Sequence, residues 1–369
     1  MIVGFHSPLP PARTGVADYA ADLIRALSRQ AEILPGAREA DVHLCHLGNN
    51  GLHAPAYGQA LERPGVVVLH DAVLHHFLLG RLSREAYVEE FVYNYGEWHR
   101  GTAKELWEGR AQSASRPAYF RYPMLRRVVE RSRAVIVHNP AAARMAREHV
   151  PGARIEEAPH LWTEPEPATA GELRELRERL KIPAASFVFG VFGHLRETKR
   201  LPAVLRAFQR ARRQGREMTL LVAGRFASQD LERSLGPALS EAGVVRVGWS
   251  DARGFRLLAA MVDACINLRD PAAGETSGVT VRLMGLGKPV IVTESEETSP
   301  FPEGACARIG PGVAEEEELR HYMILLASNS RAAAEMGRLG AAYIREHHGV
   351  AKAAAVYWKV LCECCDKHC

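Results

Sequence analysis

Glu275 stands in the run Gly274-Glu275-Thr276-Ser277-Gly278, a polar loop with one carboxylate that leads into a helix ended by Gly287-Lys288-Pro289. Backbone N–H groups and the positive end of a helix dipole suit a phosphate. A carboxylate beside them can accept hydrogen bonds from sugar hydroxyls. The run Gly193-His194-Leu195-Arg196-Glu197-Thr198-Lys199-Arg200 supplies the opposite charge. Arg196 and Lys199 are the strongest cationic candidates. A third candidate is the first loop, residues 7–19, where Thr14 can cap a helix and Gly15 lets backbone approach a ligand closely. His70-Asp71 close an apolar run, and His75-His76 follow one helical turn later. His70 at a strand's carboxyl end reads equally as a site residue and as a histidine satisfied inside the core; metal binding by the four is possible in principle and is the lesser alternative. Bland readings stand beside each motif: an ordinary strand–loop–helix connection at 274–293, and a surface turn coated with charge at 193–200.

Such groups need a scaffold that brings loops to one end of a sheet. Apolar runs at 2–5, 42–45, 66–69 and 134–137, and again at 187–192, 219–223, 244–247, 264–268 and 290–292, alternate with helical stretches. Short β-branched runs without alternation are strands covered on both faces, and the pattern predicts a wound α/β chain with two successive parallel sheets. The Pro- and Glu-rich stretch 163–168 marks the boundary, followed by a charged helix at 172–181. Helices are expected at about 16–27 and 351–361. Residues 77–133, rich in Tyr, Trp and Arg, read as an insertion before the strand at 134. Within it, Arg121, Arg126, Arg127, Arg131 and Arg133 accompany Met124, Leu125, Val128 and Val129, a basic amphipathic helix that is either solvated or laid on an anionic membrane.

At 369 residues the chain suits two domains, and 47% apolar with 24% charged residues is the composition of a soluble globular protein. A formal charge of +4 tolerates anionic substrates, and no arginine-rich tract points to nucleic acid. No run is apolar enough to span a bilayer and no secretory signal opens the chain, so the expected location is cytoplasmic, with peripheral contact at the inner membrane face left open through the basic helix. Cys45, Cys265 and Cys306 read as buried small hydrophobes. Cys362, Cys364, Cys365, His368 and Cys369 crowd the tail without the spacing of a zinc site, and are expected to be a frayed extension rather than a metal centre.

The segment 274–290 resembles the donor loop of retaining glycosyltransferases of family 4, whose usual pattern is Glu, seven residues, Glu and a helix ending in Gly-x-Pro-Val. Here it is a Gly-Glu-Thr-Ser variant: Glu275 lies one place from the first-Glu column, and Arg282 stands in the second. The run 193–200 is similar to the family's Gly-Arg-Leu, three residues, Lys-Gly, with His194 in the Arg column, Lys199 matching the Lys and Arg200 replacing the Gly. The resemblance implies the glycosyltransferase-B fold, α/β with two Rossmann-like parallel-sheet domains facing a cleft. It divides the chain into 1–165 on the acceptor side, 183–345 for the nucleotide sugar, and 346–369 as a returning helix with the Cys-rich tail. It assigns catalytic roles to His70, Lys199 and Glu275, and donor binding to Gly15, His194, Arg196, Thr276, Ser277, Gly278 and Arg282. Cofactor and metal are expected to be none, because protein cations hold the diphosphate, and the acceptor is unknown. A nucleotide-sugar epimerase on the same fold and a non-catalytic nucleotide-sugar-binding protein remain open.

Overall fold

The computed structural model describes residues 1–214 and 216–365. Two compact units emerge. The first gathers Met1–Thr163, Pro271–Thr276 and His348–Cys369; the second gathers Glu164–Asp270 and Ser277–His347.

The first unit carries six parallel strands: β1 Ile2–His6, β2 Glu32–Pro35, β3 Val42–Leu47, β4 Val66–Leu69, β5 Ala134–Val137 and β6 Ile155–Glu157. Their order is β2-β1-β3-β4-β5-β6. Strands β3, β4 and β5 are buried at every residue, and period-two geometry shares them between two cores. Val66, Val68, Ala134 and Ile136 face one core with Tyr19, Leu23 and Tyr357; Val67, Leu69, Val135 and Val137 face the other with Tyr57, Phe77 and Phe91. Each fully buried Val or Leu contributes roughly 1.5–3 kcal/mol. Helices Gly15–Leu27 and Val350–Glu363 pack together on the first of these faces, their Tyr19 and Tyr357 hydroxyls 2.8 Å apart. Thr14 caps the former through its hydroxyl, which accepts from Val16 N–H.

The inserted segment 77–133 folds as helices Arg84–Tyr95, Arg100–Glu108 and Arg126–Arg131 with short turns. The expected basic helix is thus a single six-residue stretch. Met124, Leu125, Val128 and Val129 are buried in the core, and Arg127 pairs with the Glu90 carboxylate while Arg126 pairs with Glu130. That apolar side is therefore occupied by packing and is not a surface offered to a membrane. Among the described residues no helix is long and apolar enough to cross one. Arg133 Nη1 donates to the Cys364 carbonyl at 2.8 Å, and Cys364 is buried. Of the tail cluster, His368 and Cys369 lie outside the described residues.

Leaving the first unit, the chain enters helix Ala170–Arg179 through a capping box, with Thr169 and Glu172 satisfying each other's backbone N–H groups. The second unit carries β7 Phe187–Leu195, β8 Met218–Phe226, β9 Val244–Val247, β10 Ala264–Asn267, β11 Val290–Thr293 and β12 Ala307–Ile309, all parallel, in the order β12-β11-β10-β7-β8-β9. The order reverses between β7 and β10, the switch point where open α/β sheets of this kind bind ligands at the carboxyl ends of their strands.

Candidate functional site

In the second unit the switch point is built from three segments. Lys199 closes a tight turn after β7, and Asn267 is the last residue of β10. Ser277 caps helix Gly278–Gly285, its hydroxyl accepting from Thr280 N–H. Lys199 Nζ donates to Asn267 Oδ1 at 2.8 Å, and Asn267 Nδ2 donates to both Ser277 Oγ and Thr280 Oγ1 at 2.7 Å. Lys199, expected as a cation on a loop, is only 3% exposed. Arg196 opens the turn in extended conformation. His194 sits on the strand end; partial burial, then the charges of Arg196, Arg225 and Lys199, lower its pKa and keep the imidazole neutral. Arg282 lies on the helix with its guanidinium carbon 5.5 Å from the Phe255 ring centre.

Arg200 has a separate explanation. Its φ is +56°, in the left-handed region where glycine is free and a side chain is strained. Its guanidinium forms an ion pair with the buried Glu315 carboxylate at 2.9 Å, which holds the turn in that conformation. Gly193 and Gly224 lie opposite each other in the β7–β8 register, with φ of +93° and +151°. The next pair, His194 and Arg225, thereby reach the rim of the sheet together.

In the first unit His70 directly follows β4. It is buried, with Nε2 2.9 Å from His46 Nδ1 and its ring edge-on to Tyr19. Burial, then the neighbouring His46, His138, His53 and His160, pull its pKa well below 6.5. Asp71 Oδ2 accepts from Asn49 N–H at 2.8 Å. His75 is fixed by the Tyr122 carbonyl and the Tyr87 hydroxyl, and His76 bonds Asn49 and the Ser113 carbonyl. Among the described residues no group of three or more His, Cys, Asp or Glu is placed to hold a metal ion. At Gly15 a Cβ would meet nothing within 4 Å, so no packing demands glycine there.

The segment Pro271–Thr276 belongs to this unit. The Ala273 carbonyl accepts from Ala72 N–H at 2.8 Å and Val73 N–H at 3.1 Å. Asn139 Nδ2 donates to the Gly274 carbonyl and to Thr276 Oγ1, both at 3.0 Å, and Thr276 Oγ1 donates to the His138 carbonyl. The Thr276 hydroxyl is thus engaged in holding the loop. One Glu275 carboxylate oxygen accepts from Ala273 N–H at 2.7 Å. Gly274 has φ +68°, and a Cβ there would stand 2.6 Å from the Ala72 Cβ, so this glycine is required.

Sequence reasoning missed Asn267 and Arg225; Gly274 and Asn139 stood in segments it had marked, but without the packing roles described above. One signal was present: Asn267 is the polar residue inside the otherwise apolar run 264–268.

The buried imidazoles carry a consequence for stability. His46 and His70 are held well below 6.5, His138 is lowered to about 4, and burial is the leading cause for all three. The unfolded chain binds these protons near pH 6.5 and the folded chain only at lower pH. The histidines therefore stabilise fully above pH 6.5, and that contribution is lost as pH falls toward 4. A histidine lowered to about 4, as His138 is, costs about 2 kcal/mol between pH 7 and pH 5. The urea midpoint is expected to drop steeply across that window. A flat midpoint would show that these rings are charged or solvated in the folded state.

No protein-family model matches the chain, and no curated protein matches it either. Solved structures do. HepE from Anabaena, crystallised with UDP and glucose, superposes with a TM-score of 0.69 at 16% identity, covering 98% of this chain and 100% of that one. Sucrose-phosphate synthase from Thermosynechococcus elongatus gives 0.64 at 14% identity, covering 98% of each chain. WaaG, a glycosyltransferase involved in lipopolysaccharide biosynthesis, gives 0.62 at 10% identity and covers 100% of both. At these identities the likeness establishes architecture, and the two six-stranded parallel sheets with their helices are the glycosyltransferase-B fold.

Proposed function

We propose that the chain is a retaining, family-4-like glycosyltransferase that moves a sugar from a nucleoside diphosphate sugar to an acceptor hydroxyl, with no metal required. The observation that carries the reading is Lys199 tied through the Asn267 carboxamide to Ser277, the cap of helix Gly278–Gly285, at the switch point of the second sheet: an ammonium one side chain away from a helix cap. That combination suits a diphosphate. The full-length likeness to HepE, crystallised with UDP and glucose, supports it.

In this reading Lys199, with Arg196 and the backbone at Ser277 and Gly278, stabilises the negative charge that grows on the leaving diphosphate. Such preorganised charge is usually the largest part of catalysis. His194 and Arg282 border the same anion. In the first unit, Glu275 offers a carboxylate to sugar hydroxyls, the neutral His70 a ring nitrogen, and Gly15 an unobstructed backbone. The departing phosphate removes the acceptor proton, so no side chain needs to act as the base.

Turnover distinguishes the alternatives. Nucleotide sugars are incubated with and without a mixture of glycan and lipid alcohols, and nucleoside diphosphate release and sugar identity are followed. Acceptor-dependent release is expected. Conversion of the sugar without acceptor would identify an epimerase, and binding without either change a non-catalytic protein.

A further inference from the structure

The Asn267 carboxamide uses its full hydrogen-bonding capacity. Its oxygen accepts from Lys199 Nζ at 2.8 Å and Arg269 Nη1 at 3.3 Å; its nitrogen donates to Ser277 Oγ and Thr280 Oγ1 at 2.7 Å. A carboxamide has two acceptor and two donor positions, and all four are taken. The flipped orientation would turn its NH2 group toward an ammonium, so the arrangement has one orientation only. The residue is 3% exposed and ends β10, one of the two strands flanking the reversal in strand order. Its four partners lie on three segments: the turn after β7, the stretch after β10, and the cap and first turn of helix Gly278–Gly285. An aspartate here would lay a negative charge against Lys199, and an apolar residue would leave the lysine, with several rotatable bonds, without this partner.

We propose that Asn267 is the positioning residue of the phosphate-binding end of the second unit: anchored to the helix through Ser277 and Thr280, it aims the Lys199 ammonium in line with that helix's N-terminus. This rests on the reading that Lys199 meets a diphosphate. Asn267 touches no substrate; it acts through Lys199.

The test is a double-mutant cycle by calorimetric titration of the full chain with UDP, GDP, ADP and dTDP separately, on wild type, Asn267→Ala, Lys199→Met and the double variant. Asn267→Ala is expected to weaken the diphosphate that wild type binds by about 10-fold or more, as for loss of a hydrogen bond to a charged group. In the Lys199→Met background the same change is expected to cost less than about twofold, because the group it positions is already gone. Equal losses in both backgrounds, or no loss in either, would overturn the proposal and leave Asn267 a structural amide. If Asn267→Ala does not fold, Asn267→Ser, which keeps a hydroxyl for the helix but cannot reach Lys199 in the same way, is run through the same cycle with the same criteria. Wild type that binds none of the four would overturn the nucleotide-sugar reading, and this inference with it.

Discussion

Lys199→Met is expected to lower kcat/KM for the nucleotide sugar by about 100- to 1,000-fold while leaving the unfolding midpoint unchanged or slightly raised. The first half follows from the proposed role, since removing one preorganised group that meets developing charge costs on the order of 3–4 kcal/mol in the barrier. The second half follows from burial. Lys199 is 3% exposed, and keeping an ammonium inside a protein has a desolvation cost that Met, of similar length, does not incur. Asn267 loses one partner but keeps Arg269, Ser277 and Thr280, so no buried amide is stranded. Thermal unfolding and steady-state kinetics on the same preparations separate the outcomes. A midpoint that collapses together with activity would identify Lys199 as a structural lysine.

Gly224→Ala is expected to be the most damaging single methyl in the second unit near the candidate site. A Cβ at Gly224 would stand 1.8 Å from the Gly193 carbonyl oxygen, and the φ of +151° is a conformation that L residues rarely adopt. The obstacle is backbone, so no rotamer change relieves it, and the ends of β7 and β8 must separate. That would cost roughly 3–5 kcal/mol, combining a steric clash with a strained φ. For a unit of this size the melting temperature should fall by on the order of 10 °C. Gly15→Ala is the control, because a Cβ there meets nothing within 4 Å. Its melting temperature is expected to stay within about 2 °C. Loss of ligand affinity in that variant alone would support the ligand-facing role proposed for Gly15. An unchanged melting temperature for Gly224→Ala would mean that the strand ends are not closely paired.

The interior strands were legible because burial on both faces leaves an uninterrupted apolar run, as at 66–69 and 290–292. The strands missed are β2, β6 and β12. All are edge strands of three or four residues, two of them carry glutamates and one ends in Pro35, so their pairing comes from a neighbour and not from their own hydrophobicity. The segment 121–133 was misjudged as one long amphipathic helix. Its periodicity was real, but the apolar side of residues 124–129 answers to the first unit's core. At the candidate site Lys199 and Arg196 could be singled out by their charge together with the resemblance of the run 193–200. The long-range side-chain contacts that organise the loops could not. Asn267 reaches Lys199 across 68 positions of sequence, and Asn139 reaches Thr276 across 137. Arg200 was legible as a departure, yet its cause, the ion pair with Glu315 that holds a left-handed turn, also depends on the fold.

The central claim is that the second unit binds a nucleoside diphosphate through its phosphates. The most direct measurement is calorimetric titration of the wild-type chain with UDP, GDP, ADP and dTDP, each paired with the matching nucleoside. One diphosphate is expected to bind saturably at one site with its nucleoside weaker by at least about 10-fold, the share carried by charge-assisted phosphate contacts. Absence of binding by all four diphosphates at millimolar concentration would contradict the claim, leaving a glycosyltransferase-B fold with another use.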